Sequence, residues 1–183
     1  SRRIGMLFQG SALLNSLTIH DNVALPLVEE GVLPRDIIDE VVRMKLGLVG
    51  LETAAHLLPS EVSGGMKKRA GLARAMAMDP DILFCDEPGA GLDPVTAAHL
   101  DQLLLGLVKS FGMTLVVVSH ELASIRRIAE KVIMLHGGRA IADGPLDEVE
   151  SSDDSVVRSF FQGPEAEDRT QTSVFEALSR RPS

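Results

Sequence analysis

Two adjacent carboxylates follow a short apolar run in the segment DILFCDEP, which begins at Asp81. Ligands of parallel sheets bind at the carboxyl ends of the strands, which is where Asp86 and Glu87 would lie. A carboxylate there can hold Mg²⁺ on a nucleotide, and its neighbour can act as general base for an attacking water. These residue types therefore favour phosphoryl-transfer chemistry. A strand followed by a solvated acidic turn is the alternative.

Three further polar residues follow apolar or glycine-rich runs. His120 ends the run VVVSH and could donate a hydrogen bond to a terminal phosphate. Gln9 follows the first apolar run, Ile4–Phe8, and Asp93 closes the turn GAGLD before Pro94. A solvated Gln9 and a helix-capping Asp93 are equally good interpretations of those two residues. His120 shares with the carboxylates its place after a buried strand, which favours a common site.

The stretch EVSGGMKKRAGLARA, which begins at Glu61, places two glycines and three cations at the start of a helix. A glycine costs about 1 kcal/mol in a helix interior, and cations oppose the positive end of the helix dipole. With Ser63 as N-cap, the amides of Gly64 and Gly65 would form an anion site suited to phosphate. A docked polyanion would explain Lys67–Arg69. A glycine turn before a basic, solvated face is the alternative.

The elements that must position these residues change character along the chain. Helical patterns dominate from residue 19 to residue 78, whereas strands and helices alternate afterwards. Fully apolar strands that alternate with helices predict an α/β protein with a parallel sheet covered on both faces. The predicted helices are His20–Glu30, Arg35–Val49, Ser63–Met78, Pro94–Lys109 and Glu121–Glu130, and the predicted strands are Ile4–Phe8, Asp81–Cys85, Thr114–Val118 and Lys131–Leu135.

Composition narrows the classes of protein further. The chain has 183 residues and a formal net charge of −8, which argues against duplex nucleic acid as the main partner. No apolar run approaches the roughly 20 residues that cross a bilayer. The single cysteine, Cys85, predicts a packing role and a reducing compartment. The polar segment after Gly163 is expected to be mobile.

Taken together and in this order, the motifs resemble the ATP-binding cassette (ABC) ATPase family over nearly all of Ile4–Phe161. The matches are Gln9 with the Q-loop, Ser63–Met66 with the signature motif, Ile82–Glu87 with Walker B, Ala90–Asp93 with the D-loop and His120 with the switch histidine. The resemblance implies a P-loop NTPase core at 1–11 and 80–150. It also implies a helical subdomain at 12–79, and a C-terminal helix with a mobile tail at 151–183.

The resemblance also implies how such a site works, with ATP and Mg²⁺ as cofactors. Asp86 and Gln9 would hold Mg²⁺, Glu87 would be the general base, and His120 and Gln9 would sense the γ-phosphate. The signature residues, Ser63, Gly64, Gly65 and Met66, would contact the ATP bound by a second copy, together with Asp93. The implied partners are that second ATPase subunit, in a homodimer, and transmembrane permease subunits at the cytoplasmic face of a bacterial inner membrane.

The sequence departs from the family pattern in two respects. Val62 and Met66 replace the Leu and Gln of the commonest signature, which leaves the serine and glycines in place. The Walker A pattern G-x-x-x-x-G-K-[ST] does not occur, and the family would place it before Ser1. We therefore interpret the chain as the C-terminal part of a cassette and predict that it does not hydrolyse ATP alone. The missing strand is expected to leave Ile82–Cys85 without a neighbour.

The amino-acid sequences of the motifs are most similar to those of ATPases of the Mla/Mce type. These ATPases move phospholipids or related lipids. The runs MLFQGSALLNSLTIHDNVALPL and SGGMKKRAGLARAMAMDPDILFCDEP carry that similarity, and lipid-binding periplasmic proteins are then further partners. Importers of amino acids or other small solutes share much of it and remain an alternative. A soluble cassette ATPase of DNA repair or translation, and a non-catalytic half-site protein, are alternatives of other classes.

Overall fold

The computed structural model describes residues 4–162, which divide into two units, one ending at Ile128 and the other beginning at Ala129. The segment after Gly163, for which the sequence predicts mobility, lies outside the described residues. Within residues 4–162, none of the helices combines the length and the apolar character needed to cross a membrane. The domain limits proposed from the sequence remain a prediction.

A three-stranded parallel sheet forms the centre of the first unit, as the sequence predicts. Its strands, in spatial order, are β1 (Ile4–Leu7), β2 (Ile82–Asp86) and β3 (Thr114–Val118). Because the strands are parallel, their carboxyl ends share one edge of the sheet. Gln9, Glu87 and His120 all follow these ends by one or two residues, so the topology gathers them.

The predicted covering of both sheet faces is wrong for the described residues. Leu7, Leu83 and Cys85 are at most 1% exposed and point to one face. The alternate residues point the other way, where Ile4 is 65% and Val118 is 60% exposed. Successive side chains of a strand point to opposite faces, and the apolar core cluster of the first unit contains Leu7, Leu83 and Cys85 but neither Ile4 nor Val118. The apolar runs therefore identified the strands correctly but overstated their burial.

The expectation that β2 lacks a neighbouring strand is also wrong. In the structure β2 pairs with β1 on one side and with β3 on the other. The outer edges of β1 and β3, rather than of β2, are therefore the edges of the described sheet. The strand that ends at Asp86 and leads into Glu87 is held along both sides.

Helices supply the rest of the first unit and bury a common core against the sheet. Thr18 caps the first of them by accepting a hydrogen bond from the backbone N–H of Asp21. The buried residues Val23, Val42 and Leu72 bring the first three helices together. The helices are α1 (Ile19–Glu30), α2 (Arg35–Leu48), α3 (Gly64–Ala75), α4 (Pro94–Phe111) and α5 (Leu122–Ile128), with 3₁₀ turns at Glu52–Ala54 and Pro59–Glu61.

The second unit is an antiparallel hairpin followed by two short helices. Gly137 and Gly138 have φ of 56° and 75°, which suits the tight turn of a hairpin. The strand predicted at Lys131–Leu135 exists, but it belongs to this hairpin and not to the parallel sheet. Its partner was missed because its sequence, RAIADGP, lacks an apolar strand pattern. The elements are β4 (Lys131–His136), β5 (Arg139–Pro145), α6 (Leu146–Glu150) and α7 (Ser155–Gln162).

Candidate functional site

The backbone turns sharply where β2 ends. Asp86 is the last residue of the strand, and Glu87 follows with a φ of 44°. The left-handed region is unfavourable for a residue with a side chain, and such residues cluster at functional sites. The N–H of Glu87 donates to the carbonyl of Val118 at 2.9 Å, which ties the turn to the end of β3. The two carboxylates therefore lie at the sheet edge that the sequence predicts.

Glu87 and His120 are in direct contact. Glu87 Oε1 accepts hydrogen bonds from the backbone N–H of His120 at 3.1 Å, and its distance to His120 Nδ1 is 2.6 Å. Ser119 Oγ lies 3.4 Å from the other carboxylate oxygen. The Glu87 side chain is 16% exposed, whereas the imidazole is 80% exposed. The carboxylate is thus fixed from β3, while the ring faces the space beyond the sheet.

Lys68 joins this pair to Gln9, and sequence reasoning missed its role. The lysine lies on α3 and is 5% exposed. Its Nζ donates to the carbonyl of Glu87 at 3.0 Å and to the carbonyl of Gln9. Burial lowers the pKa of Lys68, while the negative charges of Asp86 and Glu87 act in the opposite direction. The Gln9 residue itself is exposed, so its side chain faces solvent at the same edge.

The signature residues form a second group at the start of α3. Ser63 caps the helix by accepting a hydrogen bond from the N–H of Met66 at 3.2 Å, as predicted. A Cβ on Gly65 would lie 2.8 Å from Cγ2 of Thr96 on α4. A side chain at Gly65 would therefore force Thr96 to move. Ser63 and Gly64 are exposed.

Asp93 of the D-loop is the N-cap of α4. Its carboxylate accepts hydrogen bonds from the N–H groups of Val95 at 3.1 Å and Thr96 at 3.0 Å. The Thr96 hydroxyl also donates to it, and this bond is the main reason why the pKa of Asp93 lies below its usual value. The capping interpretation is confirmed, and the nucleotide contact remains a prediction.

Of the three cations Lys67–Arg69, which are expected to face a polyanion, two bind backbone carbonyls of their own chain. Lys68 is occupied as described above. Arg69 donates to the carbonyls of Val49 at 2.8 Å and Gly50 at 3.4 Å, at the end of α2. Arg69 thus satisfies acceptors at the end of α2, where carbonyls lack intrahelical partners, whereas Lys68 satisfies carbonyls of two loops that follow strands.

The oxygen donors at this edge of the sheet fit Mg²⁺ bound to a nucleotide better than a metal ion held by protein side chains alone. No group of three His, Cys, Asp or Glu residues suited to a metal occurs among residues 4–162. Magnesium bound with nucleotides takes one or two carboxylates and completes its shell with phosphates and water. Asp86 at a strand end supplies such a carboxylate. The first amides of α3, at the exposed Gly64 and the half-exposed Gly65, are of the kind that phosphate binds.

Comparison with known proteins gives a consistent set of relatives. Residues 1–90 match the ABC transporter family. The intermembrane phospholipid transport system ATP-binding protein MlaF of Escherichia coli K12 is 43% identical over 162 residues, which cover 88% of this chain and 60% of that protein. The probable ribonucleotide transport ATP-binding protein mkl of Mycobacterium bovis is 42% identical, over 87% of this chain and 44% of that protein.

Solved structures resemble the fold as well. The dimeric ATP-binding cassette MJ0796 bound to ADP and Pi is 33% identical with a TM-score of 0.70, covering 79% of this chain and 63% of that one. The structure of cbiO1 from Clostridium perfringens, part of the cbiONQ transporter complex, is 27% identical with a TM-score of 0.75. It covers 92% of this chain and 67% of that one. The chain spans about 60% of the length of the MlaF relatives that it matches.

Proposed function

Because the chain belongs to the ABC transporter family, we propose that the complete protein is the ATP-hydrolysing subunit of a membrane transporter. The contact between Glu87 and His120, beside Asp86, carries this proposal. It places a carboxylate and an imidazole at neighbouring strand ends, where a terminal phosphate and its attacking water would meet. The reaction is the hydrolysis of ATP to ADP and phosphate.

Each residue of the edge has a role in this proposal. Glu87 orients the attacking water and takes its proton, and His120 hydrogen-bonds the terminal phosphate. Asp86 and the Gln9 side chain would hold Mg²⁺. When bound, Mg²⁺ neutralises the charge that develops on the phosphates. Gln9 also senses the γ-phosphate, and Lys68 links its backbone carbonyl to that of Glu87.

The signature residues act on a second copy of the chain. Ser63, Gly64, Gly65 and Met66 form an exposed or half-exposed helix start, and amides there favour phosphate. Asp93 begins the neighbouring helix and contacts the same nucleotide. Closure of two copies on ATP and reopening after hydrolysis would move permease subunits. The proposal therefore requires a homodimer on the cytoplasmic face of a bacterial inner membrane.

The proposed cargo is a phospholipid or related lipid. The similarity to MlaF, whose name states intermembrane phospholipid transport, supports this choice, and lipid-binding periplasmic proteins are the corresponding further partners. The nearly equal similarity to mkl, which is named for probable ribonucleotide transport, supports a small polar solute as second candidate. An ATPase subunit contacts its permease and not the cargo, so its own residues distinguish the two only indirectly.

The catalytic part of the proposal is tested by ATP turnover of the complete protein, including whatever precedes Ser1. The parent should hydrolyse MgATP, and Glu87→Gln should lower kcat by about a hundredfold or more, the scale of a lost general base. Glu40→Gln is the matched control because the Glu40 side chain is 72% exposed on α2. A parent that does not hydrolyse ATP, or a Glu87→Gln variant with parental kcat, would contradict the proposal. Residues 1–183 alone are predicted to be inactive.

The cargo is tested with the assembled transporter in lipid vesicles. Fluorescent phospholipid should move from the vesicles to an acceptor only when MgATP is supplied and Glu87 is intact. Movement of radiolabelled ribonucleotide, with no movement of phospholipid, would favour the second candidate. A complete protein that stays off membranes in cells would instead point to a soluble cassette ATPase.

A further inference from the structure

The two loops that carry Gln9 and Glu87 both contain residues in the left-handed backbone region. Ser11 and Ala12 have φ of 61° and 49°, and Glu87 has φ of 44°. None of the three is glycine, so the surrounding contacts must hold these conformations.

Cations of α3 supply the contacts to the first loop. Arg74 donates to the carbonyl of Ser11 at 2.9 Å and to the carbonyl of Ala12 at 2.7 Å. Gly71, one turn earlier, lets the loop approach closely, since a Cβ there would lie 3.2 Å from the Ser11 carbonyl oxygen. One side of α3 is therefore fitted to the loop.

Lys68 extends this side of α3 to the second loop. It lies three residues before Gly71, so both face the same way on the helix. Its ammonium has three donors, and two acceptors come from different loops, the carbonyls of Gln9 and Glu87. Because Lys68 is 5% exposed, water can replace few of these hydrogen bonds.

On the basis of the proposed function, we propose that Lys68 is a positioning residue for ATP hydrolysis. Lys68 holds the carbonyls of Gln9 and Glu87 at a fixed separation, so that the phosphate sensor and the general base move together with α3. The same helix begins with Ser63–Gly65, which would contact the partner's nucleotide. When Ser63–Gly65 dock on the partner's nucleotide, α3 moves as one rigid helix. The movement thereby reaches Glu87, the general base in the same chain.

Removing the ammonium should impair chemistry more than binding. In Lys68→Met, the carbonyls of Gln9 and Glu87 lose a shared buried donor while the aliphatic volume remains, so the Glu87 turn is held from β3 alone. We expect kcat to fall about tenfold or more, because small displacements of a catalytic group are costly, and KM for ATP to stay within about twofold. Lys68→Arg retains charge and donors and should recover most of kcat.

Lys45→Met is the matched control for loss of a buried lysine. Lys45 is 3% exposed, pairs with Asp79 at 2.5 Å and lies over the ring of Phe111, away from both loops. It should lower the melting temperature about as much as Lys68→Met while leaving kcat unchanged. Parental kcat in Lys68→Met, or equal losses of kcat in both variants, would overturn the proposal.

A second measurement does not depend on turnover. Hydrogen exchange of the complete protein should be faster in Lys68→Met than in the parent at peptides covering residues 8–12 and 87–90, and unchanged there in Lys45→Met. Unchanged exchange at both segments would overturn the positioning role even if the protein hydrolysed no ATP. A parent without ATPase activity but with the expected exchange would instead contradict the proposed function alone.

Discussion

Nδ1 of His120 lies 2.6 Å from Oε1 of Glu87, so the imidazole at the end of β3 is hydrogen-bonded to the carboxylate at the end of β2. An ionised carboxylate only accepts hydrogen bonds, so with Glu87 ionised the proton must sit on Nδ1. Nε2 is then the atom that remains for a ligand. The two side chains thus form one unit, in which the carboxylate sets the tautomer of the ring.

Replacement of His120 should therefore not add independently to replacement of Glu87. His120→Ala is expected to lower kcat about a hundredfold in the complete protein, on the scale of one lost stabilising group. The double variant with Glu87→Gln should be little slower than the slower single variant, as for other residues that act as a unit. His136→Ala, at an exposed position of β4, is the control. Steady-state kinetics of the four variants checks this, and fully additive losses would contradict a coupled pair.

A buried ion pair between α4 and α5 should contribute strongly to the stability of the first unit. Asp101 is 1% exposed, binds Nη1 of Arg127 and accepts a hydrogen bond from Ser124 at 2.9 Å. Asp101→Ala removes the acceptor of a guanidinium that is 33% exposed and of the Ser124 hydroxyl, which should cost about 1–3 kcal/mol of unfolding free energy. Asp153→Ala breaks an exposed pair with Arg158 and should change little. Urea denaturation measures both, and equal losses would rule out a special role for the buried pair.

The predictions from sequence succeeded where a local pattern has a direct structural cause. β2 and β3 were found because short apolar runs ended in polar residues, and parallel pairing then brings Glu87 and His120 together. The N-caps Ser63 and Asp93 were found because their side chains serve amides two or three residues away. In each case the interaction is encoded within a few residues of sequence.

Contacts over long sequence separations could not be found in this way. Lys68 lies 59 residues from Gln9, and its partners are carbonyls, which every residue has. Nothing in the sequence therefore marks Lys68 as different from Lys67. The fully buried Asn22 was missed over a shorter separation, since its side chain bonds the backbone of Leu14 in the loop before α1. Such roles depend on the packing of whole helices.

Cys85 should resist alkylation in the folded protein. The residue is 1% exposed, and burial raises the pKa of its thiol from 9.0 to about 12, while Lys68 opposes the shift. The thiolate is the reactive form, so at pH 8 the folded protein holds about a thousandfold less of it than a thiol with pKa 9.0 would. Iodoacetamide labelling of the Cys85 peptide, followed by mass spectrometry, should be slow in buffer and fast in urea.

Because the pKa of the Cys85 thiol is raised in the folded protein, the labelling rate of the folded protein should keep rising above pH 9. The rate of the unfolded protein should level off there. Equal rates in buffer and urea at pH 8 would contradict this burial.

Two glycines should respond in opposite directions to the same substitution. A Cβ on Gly5 of β1 would lie 2.3 Å from the carbonyl oxygen of Ala75, at the end of α3, so this helix and strand can pack only without a side chain there. Gly5→Ala should therefore lower the unfolding free energy by about 1–3 kcal/mol, the usual cost of overpacking.

Gly106 lies within α4, where a Cβ would meet nothing within 4 Å. Gly106→Ala should raise the unfolding free energy by about 0.4–1 kcal/mol, because alanine restricts the unfolded chain and favours the helix. The urea midpoints of the two variants, each compared with the parent, test both predictions. A Gly5→Ala variant as stable as the parent would mean that α3 does not approach β1 so closely.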